Sequence, residues 1–177
     1  MKNILMIIIS CTLLVSCQDD ISGTYKALKP FESFEKEIIV IDGDSLTRSF
    51  YGKFSERYHG MSKNNKYYYI TCTFPLTMQY QASLSKDGNK YSANYTNAFV
   101  KIDKEEFKSY SWKKDIIPDD SLISYFEKNL TEMLHESLNE KKKQGDDNVG
   151  FQFVVNENKL ILVGGNEFDD YFIKLVE

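Results

Sequence analysis

The stretch that decides the fold is Leu76-Thr77-Met78-Gln79-Tyr80-Gln81-Ala82-Ser83-Leu84, in which apolar or aromatic residues alternate with polar ones. Successive side chains of a β-strand point to opposite faces, so this alternation predicts a strand with one buried and one solvated face. Asp87-Gly88 follows and is typical of a two-residue hairpin turn. The predicted hairpin pairs Leu84 with Tyr91, Ala82 with Ala93, Tyr80 with Tyr95 and Leu76 with Phe99.

Further strands are predicted on both sides of this hairpin from their β-branched and aromatic composition. Asp42-Gly43-Asp44 marks a second hairpin turn, and Pro75, which has no backbone N–H, predicts a bend or an edge position. The strands 151–155 and 159–163 are apolar on both faces and are expected to be the most buried. The other predicted strands are 21–25, 37–41, 46–51, 66–74 and 171–176.

The hydrophobic period changes after Pro118, where apolar residues recur at helical spacing. Asp119 and Asp120 at the start and the lysines 141–143 at the end match the helix dipole. We therefore predict one amphipathic helix over about 119–143, with its apolar stripe on the sheet and His135 on the solvent side. The stripe comprises Leu122, Ile123, Phe126, Leu130, Met133, Leu134 and Leu138.

Together these elements predict an α+β fold. It consists of a curved antiparallel sheet of about eight to ten strands, either open or closed toward a barrel, with one long helix before the C-terminal strands. No Pro/Gly-rich linker or internal repeat divides residues 21–177. These residues are therefore expected to form a single sheet-rich domain.

The N-terminal segment carries the most specific motif of the chain. The run from Ile4 to Val15 is almost purely apolar and is shorter than the roughly 20 residues needed to span a bilayer. It closes on Leu14-Val15-Ser16-Cys17, which resembles the lipobox of bacterial lipoproteins. The resemblance implies a signal peptide over 1–16, lipid on the sulfur and amino group of Cys17, and a short tether over 17–20. A plain secretory signal or an uncleaved anchor is the alternative.

The residues after Cys17 bear on localisation in the cell envelope. In lipoproteins of this kind, an aspartate directly after the lipidated cysteine retains the protein at the inner membrane, and Gln18 occupies that position here. The resemblance therefore favours the outer membrane. Asp19-Asp20 resembles the acidic stretch that directs some lipoproteins to the cell surface, so the periplasmic and the surface-facing leaflet both stay open.

Charge and cysteine content exclude several classes of function. The 177-residue chain has 22 basic and 26 acidic residues, which argues against nucleic acid as a partner. Loss of Cys11 with the signal peptide and lipidation of Cys17 would leave Cys72 alone, so no intramolecular disulfide is expected. Cys72 lies between Ile70 and Phe74 on one strand face and is predicted to be a buried structural thiol.

Motifs for catalysis, metal binding and cofactors are missing from the sequence. Neither His59 nor His135 has a second ligand at metal-binding spacing, and Gly-x-Ser-x-Gly, phosphate loops and dinucleotide fingerprints are absent. We therefore expect no enzyme, no metal and no cofactor. An envelope hydrolase that uses His59 is the third and last of the functional hypotheses.

The first hypothesis is a non-enzymatic binding lipoprotein that recognises another envelope or secreted protein, in a specific form an immunity or inhibitor protein. The abundance of aromatic residues, with 12 tyrosines and 12 phenylalanines against one tryptophan, suits a recognition surface. The clustered tyrosines include 67–69 on a predicted strand. The partner, in addition to the membrane that holds the anchor, is therefore expected to be a protein.

The second hypothesis is a carrier of a small apolar ligand, bound in a cavity lined by Met78, Tyr80, Tyr91 and Tyr95. Ile21-Ser22-Gly23-Thr24-Tyr25, together with a helix before the closing strands, resembles lipocalin-type bacterial lipoproteins. Tyr25 stands where the first strand of a lipocalin usually carries tryptophan. The resemblance concerns architecture, and it implies a barrel.

Overall fold

The computed structural model describes residues 21–31, 33–61, 67–111, 117–143, 149–164 and 171–176. The predicted signal peptide 1–16, the lipid attachment site Cys17 and the tether 17–20 lie outside the described residues. Within the described ranges the chain forms nine strands and one helix. The strands are β1 (Gly23–Ala27), β2 (Lys36–Asp42), β3 (Ser45–Met61), β4 (Tyr67–Asp87), β5 (Lys90–Ile102), β6 (Lys108–Tyr110), β7 (Gly150–Asn156), β8 (Lys159–Leu162) and β9 (Tyr171–Lys174), and the helix is α1 (Asp119–Lys143).

The predicted curved antiparallel sheet is closed into a barrel. Eight strands follow one another around it in the order β1-β2-β3-β4-β5-β7-β8-β9. The ring closes where β9 pairs with β1, with Phe172 opposite Ala27 and Lys174 opposite Tyr25. β6 lies outside the ring and pairs with β4 at Thr71–Thr73. No helix in the described residues is both long and apolar enough to cross a membrane.

Of the two predicted hairpins, one is confirmed and the other has a different register. β2 and β3 turn at Gly43-Asp44, with Asp42 opposite Ser45, as predicted. The predicted register of the β4–β5 hairpin is wrong, because its turn lies at Gly88-Asn89 and Leu84 pairs with Ala93 rather than Tyr91. Gly88 has a φ of 60° at the first turn position, where turns of type II′ place glycine.

A β-bulge shifts the register of this hairpin again. Between Gln81 and Ala82 the partner strand β5 gains one residue, so that Ala82 pairs with Tyr95 and Gln81 with Asn97. Beyond the bulge, Tyr80 pairs with Ala98 and Leu76 with Ile102, instead of Tyr95 and Phe99. Because one extra residue exchanges the two faces of a strand, the apolar face of β5 changes from odd to even positions at this point.

β3 and β4 are much longer than the barrel requires, with 17 and 21 residues. The β2 ladder begins opposite Tyr51 and the β5 ladder ends opposite Leu76. Residues 52–61 and 67–75 therefore continue beyond the barrel as a two-stranded ribbon, to which β6 adds a short third strand. Pro75 lies where β5 ends and accepts a hydrogen bond from the Asp103 backbone, so its missing N–H interrupts no continuous ladder.

The core consists of two large apolar clusters and a small third one of Ala98, Leu138 and Val149. One fills the barrel around Tyr25, Ile39 and Phe153, none of which is exposed. The other lies between the inward face of the ribbon and α1, and it confirms Cys72 as a buried thiol. Its central residues are Ile70, Cys72, Phe74, Leu122, Ile123 and Phe126.

Two expectations about burial are wrong. In β7 and β8 only Phe153 and Leu160 are buried, because both strands belong to a barrel wall that turns alternate side chains to solvent. Met133, predicted in the apolar stripe, is 63% exposed. The buried side of α1 rotates along the helix, from Phe126 in the first half to Leu138 in the second, and this rotation leaves Met133 outside.

Side chains of α1 also cover the part of β5 that pairs with β4 on one side and has no second strand neighbour among the described residues. The carboxylate of Glu127 accepts a hydrogen bond from the Ile102 amide at 2.8 Å, and the Thr131 hydroxyl accepts one from the Val100 amide at 3.0 Å. Nε2 of His135 donates to the Ala98 carbonyl at 2.6 Å, so this side chain is exposed as predicted but faces the edge of β5 rather than away from the sheet. Four helical residues rise about 6.0 Å and two strand residues about 6.6 Å, so the spacings match.

Candidate functional site

The four predicted ligand residues lie on the inward face of the sheet but form two groups. The rings of Tyr80 and Tyr95 are 4.7 Å apart between centroids. The Tyr80 hydroxyl lies 3.8 Å from Sδ of Met78. Tyr91 instead stacks on Phe153, with centroids 5.3 Å apart. The structure therefore brings Met78, Tyr80 and Tyr95 together and places Tyr91 in another layer of the barrel.

An ion pair that the sequence analysis did not identify lies beside Tyr95. Strand alternation turns Glu37 of β2 and Arg48 of β3 inward, together with Ile39 and Phe50. Nη2 and Nε of Arg48 each lie 2.6 Å from Oε1 of Glu37, and Nη1 donates to the Tyr95 hydroxyl at 3.3 Å. The Glu37 side chain is 3% exposed and that of Arg48 is 14% exposed. The pair is thus enclosed by the barrel.

Aromatic rings surround the Arg48 guanidinium. Its central carbon lies 4.8 Å from the ring centroid of Phe151, 4.9 Å from that of Phe50 and 5.9 Å from that of Phe172. Such contacts are favourable because the face of an aromatic ring is electrostatically negative. The guanidinium is therefore held by cation–π contacts as well as by Glu37.

The electrostatics of this group keep Arg48 charged and the neighbouring phenols neutral. Burial alone would lower the pKa of Arg48, but the electrostatic interactions and hydrogen bonds with Tyr95 and Glu37 outweigh it, so the pKa is raised. Burial raises the pKa of Tyr95 despite the opposing effect of Arg48. Burial also raises the pKa of Tyr80. A permanent cation, paired with Glu37, therefore sits beside two neutral phenols.

A cleft of about 280 Å³ opens onto this ion pair. Its outer rim is the segment after β1, where the Phe31 amide donates a hydrogen bond to Oε2 of Glu37 at 3.1 Å. The Phe31 side chain is 64% exposed. The lining includes Lys29, Phe31, Glu37, Arg48, Leu162 and Phe172. The cleft thus combines apolar walls with a charged floor.

The sequence contained a signal for this site. Glu37 shares the parity of Ile39 and Ile41, and Arg48 that of Leu46 and Phe50, so each charged residue occupies an inward position of its strand. Two opposite charges on the apolar faces of paired strands indicate a buried ion pair. The surrounding rings of Phe151 and Phe172 come from strands more than 100 residues away and could not be placed by local pattern.

A second candidate surface is the outward face of the ribbon, called the ribbon face below. Tyr67, Tyr69 and Tyr110 are 86%, 45% and 63% exposed there. The Arg57 guanidinium lies 5.4 Å from the ring centroid of Tyr69. Register places these outward positions together: Lys53, Ser55, Arg57, His59, Tyr67, Tyr69, Thr71, Thr73, Lys108 and Tyr110. None of the positions in this set is acidic.

The groups considered for catalysis or metal binding lie apart. His59 is exposed on the ribbon face opposite Tyr69, and His135 is bound to the β5 edge. In the described part of the chain no three His, Cys, Asp or Glu residues lie together in a way that could hold a metal. Burial raises the pKa of the Cys72 thiol to about 11, and the charge of Asp119 adds to the rise. A thiol with this pKa is a poor nucleophile at neutral pH.

Comparisons of the chain with protein-family models, with curated proteins and with solved structures find no match.

Proposed function

We propose that the chain is a non-enzymatic binding lipoprotein of the cell envelope that recognises another envelope or secreted protein through the ribbon face. The observation that carries the proposal is the composition of this face. It combines exposed tyrosines with Lys53, Arg57 and Lys108 and contains no carboxylate, although acidic residues outnumber basic ones in the whole chain by 26 to 22. An immunity or inhibitor protein is the specific form we favour.

Tyrosine and arginine are the residue types that dominate recognition surfaces. Both are enriched at protein interfaces, and Tyr and Arg are frequent among the residues whose truncation costs most affinity. The ribbon also offers them on a rigid support, since its inward face packs Ile70, Cys72 and Phe74 against α1. Little conformational entropy is lost when a partner binds such a surface.

Charge on the ribbon face indicates the chemistry of the partner. The described positions of the ribbon face contain three cations and no carboxylate, which favours an acidic partner surface through faster association and through rejection of basic surfaces. We therefore expect a partner whose contact surface is acidic and contains apolar groups that pack on Tyr67 and Tyr69.

The position of the ribbon supports a membrane-held arrangement. Ile21, the first described residue, lines a cavity with Asn89 and Glu157, which belong to hairpin turns at one end of the barrel. Tyr67 lies 16 residues along β4 from Ser83, which corresponds to roughly 50 Å at about 3.3 Å per residue. Lipid on Cys17, four residues before Ile21, would hold the first end at the membrane, with the outer membrane favoured, and leave the ribbon face directed away.

Site-specific photocrosslinking in cells tests the proposal. A photoreactive amino acid replaces Ser55 or Thr73, which oppose each other on the ribbon face, and in a control it replaces Val40, which faces outward from the barrel. We expect the full-length chain to capture the same protein from both ribbon positions and not from Val40. The variant Cys17→Ser, which cannot carry the lipid, should leave the membrane fraction.

A charge reversal sharpens this experiment. Arg57→Glu should reduce capture about fivefold, on the order of 1 kcal/mol, because it places a carboxylate opposite an acidic partner. Lys101→Glu, an exposed change on β5, is the matched control and should leave capture unchanged. Equal capture from Val40 and the ribbon positions, or no protein captured from either, would contradict the proposal.

A second candidate function is the transport of a small apolar ligand. The observation that favours it is the closed barrel with Met78, Tyr80 and Tyr95 grouped on the inward face, since barrels of eight strands can enclose one small ligand. Saturable binding of a neutral apolar probe to the full chain would support this function over the first.

A further inference from the structure

The Arg48 guanidinium is enclosed without being fully hydrogen-bonded. It has five N–H groups, of which those on Nε, Nη2 and Nη1 contact Glu37 and Tyr95 once each. The other two N–H groups have no acceptor among the described residues. Arg48 lines a cleft, so a carboxylate that enters the cleft can replace water as the hydrogen-bond partner of these two N–H groups.

The cleft gives such an acceptor access to Arg48. Its volume of about 280 Å³ corresponds to roughly nine water molecules at about 30 Å³ each, which is below the usual range of drug-sized pockets. Lys29 and Phe31 form part of the rim, and Leu162 and Phe172 belong to the wall. This space accommodates a small molecule and not a folded segment of protein.

Charge in the cleft selects the sign of the ligand. Arg48 and Glu37 cancel each other, and both oxygens of Glu37 are already occupied, Oε1 by Arg48 and Oε2 by the Phe31 amide. Glu37 therefore adds no unpaired negative charge to the cleft. Lys29 remains as the additional charge among the described lining residues, so this part of the lining has a net positive charge.

We propose that this cleft binds a small organic anion, whose carboxylate accepts hydrogen bonds from Arg48 and whose apolar body packs against Phe31, Leu162 and Phe172. Arginine suits this role because its planar donor groups match the geometry of a carboxylate. Short aliphatic and aromatic monocarboxylates are the chemical class that fits the volume and the apolar walls. The site does not depend on the ribbon face and stands whether or not a protein partner binds there.

Saturation-transfer NMR on the lipidated full chain in lipid nanodiscs tests the proposal, with empty nanodiscs as the blank. Hexanoate is the probe, and hexanol is the matched neutral molecule with the same number of carbons. We expect saturable binding of hexanoate and at least about tenfold weaker binding of hexanol, since hexanol lacks the charge and the second acceptor oxygen. Equal binding of the two probes, or no saturable signal from hexanoate, overturns the proposal.

Variants assign the binding to the cleft. Lys29→Gln removes an exposed charge at the rim and should weaken hexanoate binding about two- to fivefold, as is usual for exposed charge pairs. Lys101→Gln, distant on β5, should leave the affinity unchanged. Leu162→Trp fills the cleft and should abolish binding while the circular dichroism spectrum stays native. Retention of hexanoate binding by a folded Leu162→Trp protein would overturn the proposal.

Discussion

At the scale of single residues, the ion pair of Glu37 and Arg48 is enclosed almost completely. Removing one partner of a buried pair leaves the other charge desolvated and unpaired, which typically costs about 3–5 kcal/mol. We therefore expect Glu37→Leu and Arg48→Met each to lower the free energy of unfolding by about this amount. The double variant should recover most of the loss, because it removes both charges. Urea unfolding followed by circular dichroism measures the three values.

The exposed pair of Lys128 and Glu132 provides a control. Its two side chains are 73% and 59% exposed and its charged atoms are 3.8 Å apart. Glu132→Gln should change the free energy of unfolding by less than about 1 kcal/mol. Strictly additive losses in the double variant of Glu37 and Arg48 would show that the two charges do not stabilise each other.

Cys72 is expected to lower the free energy of unfolding at alkaline pH. Its pKa is about 11 in the folded protein and 9.0 as an ordinary value, so the unfolded chain loses the thiol proton first. The Cys72 thiol therefore leaves the free energy of unfolding unchanged below about pH 9. It lowers this free energy by up to about 3 kcal/mol as the pH rises toward 11. The raised pKa values of Tyr80 and Tyr95 act in the same direction.

Urea unfolding at a series of pH values checks this prediction. Cys72→Ala should reduce the slope of stability against pH between 9 and 11, while the tyrosine contributions remain in both proteins. In the same window, an alkylating reagent should modify Cys72 only under unfolding conditions, because the side chain is fully buried. An unchanged slope in Cys72→Ala would contradict the assignment.

Buried apolar residues were easier to predict from the sequence than buried charges. Cys72 was predictable because Ile70 and Phe74 on the same strand face are apolar. Arg48 occupies an equally inward position, but arginine is mostly exposed in proteins, so its own parity indicates burial only together with that of Glu37 on the paired strand. Its enclosure depends on Glu37 across the hairpin and on Phe151 and Phe172 from distant strands.

At the scale of elements, α1 replaces a missing strand neighbour of β5 with side chains. Thr131→Val removes the acceptor of the Val100 amide while keeping the shape of the side chain. An unsatisfied buried donor costs about 1–3 kcal/mol, so we expect a loss of stability in this range. Hydrogen exchange of the Val100 amide should accelerate more than that of Ile39 in the barrel.

Thr47→Val is the matched control, because Thr47 is an outward-facing threonine of β3 that pairs with Val40. It should change the free energy of unfolding by less than about 0.5 kcal/mol, as is usual for surface substitutions. Equal changes of the free energy of unfolding in Thr131→Val and Thr47→Val would show that the hydrogen bond between Thr131 and β5 does not stabilise the fold.

Local pattern predicted the elements but not their register. The bounds of α1 were predictable because charges at both ends and Pro118 mark them. The β4–β5 pairing was not, since Asp87-Gly88 allows two turn positions and nothing in the sequence marks the bulge at Gln81/Ala82. A bulge is determined by how the strands curve into the barrel, which is a property of the whole sheet.

At the scale of the whole molecule, long-range pairings could not be derived from the sequence. The α+β class followed from strand alternation and one amphipathic helix, but both an open sheet and a barrel satisfied the same pattern. The choice depends on whether β9 reaches β1 and β7 reaches β5. The ribbon face could not be predicted for the same reason. The pattern of β4 predicts one continuous strand, and only the ends of β2 and β5 show where the barrel stops.

The pairing of β1 with β9 also has a consequence for how the protein is made. The paired residues are separated by about 150 positions, and closing a loop of this length costs about 4 kcal/mol of chain entropy. Hairpins such as β2–β3 can form while the chain is still emerging, but the last strand has to arrive before the first one gains its second neighbour. The barrel therefore closes only after β9 has been synthesised. A chain interrupted before Tyr171 keeps two unpaired strand edges, which promote aggregation.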